Sequence, residues 1–194
     1  MEYRLDKQNL LELLSLWNKF LKRKVYLIAC GGTALTLQDI KNSTKDVDFL
    51  IPKENDYKYL IKIIQQLGYV QTIGSGWQKP GEIYIFDFYL GQKIHTTELL
   101  ESPLKEGNHF WIKTWQYISI GVLNHYDLII SKLFRGSTVD FEDCLALFKV
   151  KAKEIDYKKL ENRYRETARY DVSEERILKH WENFKRLLEK EDFI

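Results

Sequence analysis

The sequence has 194 residues, of which 44% are hydrophobic and 30% are charged, so it carries enough apolar material for one well-packed body. Its 30 basic and 28 acidic side chains give a formal net charge of +2, which excludes a general polyanion-binding surface and leaves only local contacts with nucleic acid. The two cysteines, Cys30 and Cys144, lie far apart in apolar surroundings, which is typical of reduced, buried thiols and excludes a zinc-binding spacing.

The beginning of the sequence is charged, with Arg4, Asp6 and Lys7 close together. It contains no apolar region of the kind that a signal peptide requires. No apolar run elsewhere approaches the length needed to span a membrane. We therefore expect a cytoplasmic protein with no membrane partner.

The first part of the chain predicts alternating helices and strands. A helix is expected over residues 8–22, because its leucines and Trp17 fall on one helical stripe. A buried strand is expected over 25–29, and the chain then predicts a glycine turn, a short helix, a loop and a second strand that ends at residue 51. Another amphipathic helix follows and is ended by Gly68.

The middle of the chain favours strands. A short strand is predicted at 69–73, a turn or mobile loop in the glycine-rich segment 74–82, and a strand at 82–90. Aromatic and β-branched residues between 103 and 124 predict one or two more strands, as a hairpin that extends the same sheet. From Asn124 onward the pattern is helical.

These elements predict an α+β fold, in which a mixed β-sheet is backed by helices and followed by a helical C-terminal region. We expect residues 1–123 to form the core and residues 124–194 to pack on it. The junction is a change of structural class with no flexible linker or low-complexity tract, which favours one integrated body.

Two glycines and a pair of aspartates carry the main chemical signal. Gly31 and Gly32 follow the first strand, where they allow a sharp turn that turns backbone N–H groups toward an anion such as phosphate. Asp46 and Asp48 alternate along the second strand, so both carboxylates share one face while Val47 points to the other. Aspartate is disfavoured in strands, which favours a functional interpretation.

A third aspartate, Asp87, lies in the strand over 82–90, where it shares a face with Ile85 and Tyr89. We expect this strand to pair beside the strand of Asp46 and Asp48. Three carboxylates would then converge on a divalent cation beside the glycine turn. The alternative is that Asp46 and Asp48 only cap a turn at the entrance of a strand.

The order of these residues resembles the DNA polymerase β nucleotidyltransferase superfamily, which has two glycines, an Asp-x-Asp pair on a strand and a later single aspartate on a neighbouring strand. The segment 31–35, GGTAL, and the motif Thr44-x-Asp46-x-Asp48 are most similar to the small prokaryotic branch that includes AbiEii-type toxins. The resemblance covers residues 25–90 and, less closely, 125–148. It departs from the branch at Asn42, where an arginine is frequent.

The resemblance implies a metal-dependent nucleotidyltransferase, which moves a nucleoside monophosphate from a nucleoside triphosphate to an acceptor hydroxyl. Asp46, Asp48 and Asp87 would be the catalytic residues and the ligands of Mg²⁺, with Mn²⁺ as the alternative ion. The predicted nucleotide-binding residues are Gly31, Gly32, Thr33, Thr44, Lys45 and Lys132.

The resemblance also implies an acceptor on tRNA or on a protein, and a toxin that is paired with an antitoxin. Two alternatives stay open at this point. The acceptor would be a small molecule, such as an antibiotic, or the chain would be a non-catalytic binding or regulatory protein that retains the fold.

The remaining polar residues have simpler interpretations. Lys132 and Arg135 would by default form a solvated helix face, although Lys132 is also a candidate contact for the triphosphate. Asp140 and Asp143 are interpreted as helix-capping or helix-surface acids. The four histidines lack the spacing of metal ligands, and the arginines around Arg165 are interpreted as a salt-bridged helix face.

Overall fold

The computed structural model describes residues 4–194, so residues 1–3 of the predicted core lie outside the described part of the chain. The helices are α1 (Lys7–Asn18), α2 (Gly31–Leu37), α3 (Glu54–Gln66), α4 (His125–Arg135), α5 (Thr138–Lys151), α6 (Tyr157–Ala168) and α7 (Glu174–Lys190). The strands are β1 (Val25–Ala29), β2 (Asp46–Ile51), β3 (Val70–Gln71), β4 (Gly76–Gln78), β5 (Ile85–Leu90), β6 (Lys93–Ile94), β7 (Thr97–Glu98), β8 (His109–Thr114) and β9 (Ile118–Leu123).

Seven of these strands form one mixed sheet in the order β3-β4-β5-β2-β1-β9-β8. The β2–β5 and β1–β9 pairs are parallel, and the other pairs are antiparallel. Strands β6 and β7 form a separate hairpin. The predicted α+β fold with a mixed sheet is therefore confirmed, and so is the hairpin, β8–β9, that extends it.

The two central strands β2 and β5 have one apolar and one acidic face, as their alternation predicts. On the apolar face, Trp17 of α1 packs against Phe86 and Phe88, with ring centroids 4.7 and 6.1 Å apart. All three aromatic side chains are buried. Burial of a side chain of this size stabilises a fold by roughly 1.5–3 kcal/mol, so this face anchors the strands whose other face carries Asp48 and Asp87.

Two of the differences between the structure and the predicted elements have a clear physical cause. Strand β4 lies inside the segment predicted to be a loop, because Trp77 is buried and pairs with Phe86 of β5. This tertiary contact overrides the glycine-rich composition. Helix α1 ends at Asn18 because the Asn18 side-chain oxygen accepts the backbone N–H groups of Tyr117 and Ile118, which ties the helix end to β9.

The C-terminal region after β9 is helical, as predicted. Helix α4 is capped by Asn124 before its first residue and by Gly136, with a φ of 69°, after its last residue. Helix α6 is fixed to the start of α4 by Arg163, whose guanidinium donates two hydrogen bonds of 2.8 Å to the carboxylate of Asp127. Helices α5, α6 and α7 all contact α4, so α4 is buried along most of its length. None of the helices in residues 4–194 is long and apolar enough to cross a membrane.

Candidate functional site

The strands that carry the predicted catalytic acids lie side by side. Strands β2 and β5 run parallel, and their register places Asp48 directly beside Asp87. Register partners on neighbouring strands point to the same face of a sheet, so the two carboxylates face the same side. The predicted pairing of these strands is confirmed.

The third acid, Asp46, is placed differently from Asp48. It is exposed at the start of β2, and its register partner is the apolar residue Ile85. Within residues 4–194, no three histidine, cysteine, aspartate or glutamate side chains are arranged to hold a metal ion. Asp48 and Asp87 thus form a preformed pair with Asp46 nearby, because only Asp48 has an acid as its register partner, and the convergence of all three carboxylates stays a prediction.

The glycine turn lies against the carboxylate of Asp48. Gly31 has a φ of +56°, a conformation that side chains disfavour. A Cβ atom on Gly31 would also overlap Oδ2 of Asp48. The requirement for glycine is thus both conformational and steric. A Cβ atom on Gly32 would lie 3.0 Å from the hydroxyl of Thr44, so this turn leaves bare backbone next to the acidic pair.

Two threonines hold the start of β2 in place. The Thr33 hydroxyl donates to the carbonyl of Asp46 at 3.2 Å and accepts the N–H of Asp48 at 2.9 Å. The Thr44 hydroxyl donates to the same carbonyl at 2.7 Å, and both threonines are buried. Both hydroxyls therefore bind the strand backbone in this structure, and contact of Thr33 and Thr44 with the nucleotide stays a prediction. Lys45, between Thr44 and Asp46, is exposed.

Among residues 4–194, no ion pair offsets the charge of Asp48. Burial, followed by the nearby charge of Asp87, raises the pKa of Asp48 from its ordinary value of 3.8 to about 7. Arg135 and Lys132 act in the opposite direction, but they do not cancel these effects. A carboxyl group in this environment favours either a proton or a bound cation.

Lys132 occupies neither of its expected positions. Its ammonium group is buried, with Nζ 2.6 Å from Oδ2 of Asp143 and 3.7 Å from Oδ1 of Asp140. Asp143 also pairs with Lys41, at 2.8 Å. The solvated-face interpretation and the direct nucleotide contact of Lys132 are both corrected, because helices on several sides of α4 enclose the residue. Asp140 and Asp143 are likewise buried rather than on the surface, but the helix-capping interpretation is confirmed for Asp140, which forms a capping box with Ser137 at the start of α5.

Arg135 is the cation of α4 that faces the site. Its Nε donates to Oδ2 of Asp140 at 2.8 Å, and its Nη2 donates to Oδ1 of the same residue. Burial opposes ionisation of Asp140, but the hydrogen bonds from Arg135 and Ser137 hold its pKa below the usual range. The Arg135 side chain remains 45% exposed. It is therefore an oriented cation that solvent reaches.

Sequence reasoning missed a tyrosine and a histidine beside the acidic pair. The hydroxyl of Tyr89 donates to Oδ1 of Asp48 at 3.4 Å and lies 3.0 Å from Nε2 of His95. His95 also lies 3.4 Å from Nη1 of Arg135, and it has a φ of +51° in the β6–β7 turn. Alternation in β5 placed Tyr89 on the acidic face, but no spacing in the sequence indicates His95.

A serine was also missed. The Ser75 hydroxyl donates a hydrogen bond of 2.7 Å to Oδ1 of Asp87. The serine directly precedes β4, in the segment that composition predicted to be only a turn. Its position at the site follows from the pairing of β4 with β5, which a sequence pattern does not reveal.

Comparison with known proteins gives one family match. Residues 112–189, from within β8 to near the end of α7, match the model of a family described as a nucleotidyltransferase of unknown function. Among solved structures, the chain is similar to an antigenic nucleotidyltransferase-like protein from Paracoccidioides brasiliensis, with 12% sequence identity, a TM-score of 0.48, and coverage of 92% of this chain and 95% of that chain. No curated protein matches the sequence. The family match bears out a resemblance to nucleotidyltransferases for residues 112–189, the part that carries Lys132 and Arg135, and it does not reach residues 31–48 or Asp87.

Proposed function

We propose that the protein is a metal-dependent nucleotidyltransferase, which transfers a nucleoside monophosphate from a nucleoside triphosphate to an acceptor hydroxyl. The observation that carries the proposal is the register of Asp48 against Asp87, with the bare backbone of Gly31 beside them. A structural role alone would not explain two acids that face each other with so little positive charge nearby. A substrate that arrives with a divalent cation would offset their charge.

The side chains present fit such a cation. Mg²⁺ prefers anionic oxygen, and proteins commonly bind it through one or two carboxylates together with substrate phosphates and water. Asp48 and Asp87 would hold the ion, and the exposed Asp46 is the proposed third ligand; Mn²⁺ has the same preference for oxygen. When bound, the ion would polarise a phosphoryl oxygen and lower the pKa of the acceptor hydroxyl.

Residues around the acidic pair would bind and orient the triphosphate. The glycine turn at Gly31 and Gly32 leaves space for phosphate oxygens next to Asp48. Arg135 is fixed by Asp140, and its planar guanidinium suits a phosphate oxygen pair. Lys45 is an exposed cation next to Asp46. Lys132 would act indirectly, because its ammonium group lies 3.7 Å from Asp140, the acid that orients Arg135.

The role of the C-terminal helices and the identity of the acceptor belong to the same proposal. Residues 124–194 would form one wall of the site on the core of residues 1–123, supported by the proximity of Arg135 to His95 and Tyr89. An acceptor on tRNA or protein, and a toxin with an antitoxin partner, are supported by the resemblance of residues 31–48 to the AbiEii branch.

The test is transfer of label from nucleoside triphosphates that carry it on the α-phosphate, with Mg²⁺ or Mn²⁺, to tRNA, to protein or to small-molecule acceptors. We expect Asp48→Asn to lose more than about 100-fold in rate, because loss of a group that only supports a metal ligand already costs roughly 10–100-fold. Asp39→Asn is the matched control. Asp39 has a φ of 59°, which asparagine tolerates, and it pairs with Lys7 outside the site.

Folding of both variants is checked by circular dichroism and thermal melting. Full transfer by folded Asp48→Asn would refute the proposal. Metal-dependent binding of nucleotide with no transfer to any acceptor would instead identify a binding protein that retains the fold.

A further inference from the structure

We propose that Ser75 is a site of self-nucleotidylation, at which the protein transfers a nucleoside monophosphate to its own hydroxyl. The inference rests on the proposed nucleotidyl transfer and names an acceptor for it. Any acceptor of this reaction is a hydroxyl group that must give up its proton near the metal-binding acids. The Ser75 hydroxyl already donates its hydrogen bond to Oδ1 of Asp87, at 2.7 Å.

The backbone around Ser75 holds this hydroxyl in place. The Ser75 carbonyl accepts the N–H of Phe88 at 3.1 Å, and the next residue, Gly76, is the register partner of Asp87. A Cβ atom on Gly76 would overlap the hydroxyl of Thr72 and lie 3.1 Å from Ile85, so the chain has no room for a side chain at this position. Ser75 is thus positioned by strand pairing rather than by a flexible loop.

Solvent reaches Ser75 more readily than the other hydroxyls around the acids. Ser75 is only partly buried and follows the tip of the β3–β4 hairpin, where the Ile73 side chain is 97% exposed. By contrast, Thr33 and Thr44 are buried with their hydroxyls on a backbone carbonyl. Tyr89 is 8% exposed and its hydroxyl is shared between Asp48 and His95. An incoming nucleotide would therefore meet Ser75 first.

The reaction balances with Ser75, Asp87, water and the nucleotide. The Oγ atom of Ser75 forms a bond to the α-phosphorus, and the bond from that phosphorus to the oxygen bridging to the β-phosphate breaks. Pyrophosphate leaves with that electron pair, and the Ser75 proton moves to Asp87 and then to water. The product carries a phosphodiester on Ser75 that covers Asp87, so the modified protein would be blocked toward other acceptors.

The experiment incubates the protein with each nucleoside triphosphate and Mg²⁺ or Mn²⁺, without added acceptor, and then measures intact mass and maps peptides. We expect a mass increase of one nucleotidyl group on the peptide that contains Ser75. Ser75→Ala should lose the label, and Ser75→Thr should retain part of it. Thr72→Ala is the matched control, because it removes a neighbouring hydroxyl of the same hairpin that does not contact Asp87, and it should label normally.

A second readout separates this inference from the proposed function. Nucleotide binding at saturating metal is measured by thermal shift, and we expect Ser75→Ala still to bind, weakened by no more than the roughly 10–100-fold that loss of a group supporting a metal ligand costs. If both proteins bind nucleotide but label appears only on other residues or on external acceptors, self-modification of Ser75 is refuted and the proposed function stands. If neither protein binds nucleotide with metal, both are refuted.

Discussion

Two groups of acids lie near helix α4, and the fold treats them differently. In the α4–α5 ion cluster, which we define as Lys41, Lys132, Arg135, Asp140 and Asp143, each acid pairs with a cation. In the strand acids, defined as Asp48 and Asp87, the hydrogen-bond donors are hydroxyl groups, from Tyr89 and Ser75. None of the ion pairs found within residues 4–194 involves a strand acid.

The difference shows that this fold pairs its buried acids with cations where the acids stabilise the structure, as in the α4–α5 ion cluster. Charge without a partner is costly in a protein interior, because neither water nor a counter-ion offsets it. The strand acids carry this free-energy cost, because Arg135 lowers the pKa of Asp48 but does not form an ion pair with it. We infer that their counter-charge comes with the substrate, and three substitutions test this contrast.

The largest expected effect is in the α4–α5 ion cluster. Lys132→Met leaves Asp143 with Lys41 alone and removes a cation from Asp140, so we expect a loss of about 3–5 kcal/mol in the free energy of unfolding, measured with urea. Lys58→Met, which breaks an exposed pair with Glu54 within α3, should leave the urea midpoint unchanged. A Lys132→Met protein as stable as the unsubstituted one would mean that the cluster does not stabilise the fold.

A smaller effect of opposite sign is expected at the strand acids without metal. The folded pKa of Asp48, about 7, lies above its ordinary value of 3.8. The stability that the protonated Asp48 contributes to the fold is therefore fully present below about pH 4 and is lost as pH rises through 7. Asp48→Asn carries no charge at any of these pH values. Without metal we therefore expect it to match the unsubstituted protein near pH 4 and to be more stable by about 1–3 kcal/mol above pH 7.

The measurement is a series of urea or thermal unfolding curves between pH 4 and 8.5, with chelator present. Added Mg²⁺ should stabilise the unsubstituted protein and leave Asp48→Asn unaffected, since binding to the folded state raises stability. Parallel pH profiles for the two proteins would show that Asp48 is not the strained carboxyl that its surroundings indicate.

The smallest effect on stability is expected at the glycine turn. Gly31→Ala introduces a side chain at a φ of +56° and displaces the carboxylate of Asp48, so we expect a loss of about 1–2 kcal/mol together with loss of the response to Mg²⁺. Gly107→Ala has a φ of +83° with open space around the added methyl group. Gly107→Ala should lose a similar amount of stability and still be stabilised by Mg²⁺. If Mg²⁺ stabilises both variants equally, Gly31 is not part of the metal site.

The parts that sequence predicted well depend on local periodicity. Alternation along 82–90 placed Asp87 on one face with Ile85 and Tyr89, and Phe86 and Phe88 on the other, and the structure has this arrangement. The strand, glycine turn and short helix that precede Asp48 were also readable, because turn residues and apolar runs lie next to each other in the chain. Pairing of Asp48 with Asp87 followed from these local features.

The parts that sequence did not predict depend on tertiary contacts. Lys132 was assigned to a solvated face because helices are usually amphipathic, but α4 is enclosed by α5, α6 and α7, and acids on α5 neutralise the lysine. Ser75 and His95 belong to segments next to strands of two or three residues, which are too short to show a period. Such strands form only when their partners are in place.

The position of β1 inside the sheet has a consequence for synthesis of the chain on the ribosome. One edge of β1 pairs with β2, which follows closely, while the other edge pairs in parallel with β9, whose residues 118–123 emerge much later. Strands β2 and β5, which carry the strand acids, can thus pair while one edge of the apolar strand Val25–Ala29 still has unpaired backbone N–H and C=O groups. An open strand edge is a template for pairing with other chains. The interval between translation of β1 and β9 is therefore the stage at which the nascent protein is most exposed to aggregation, and at which a chaperone would have most effect.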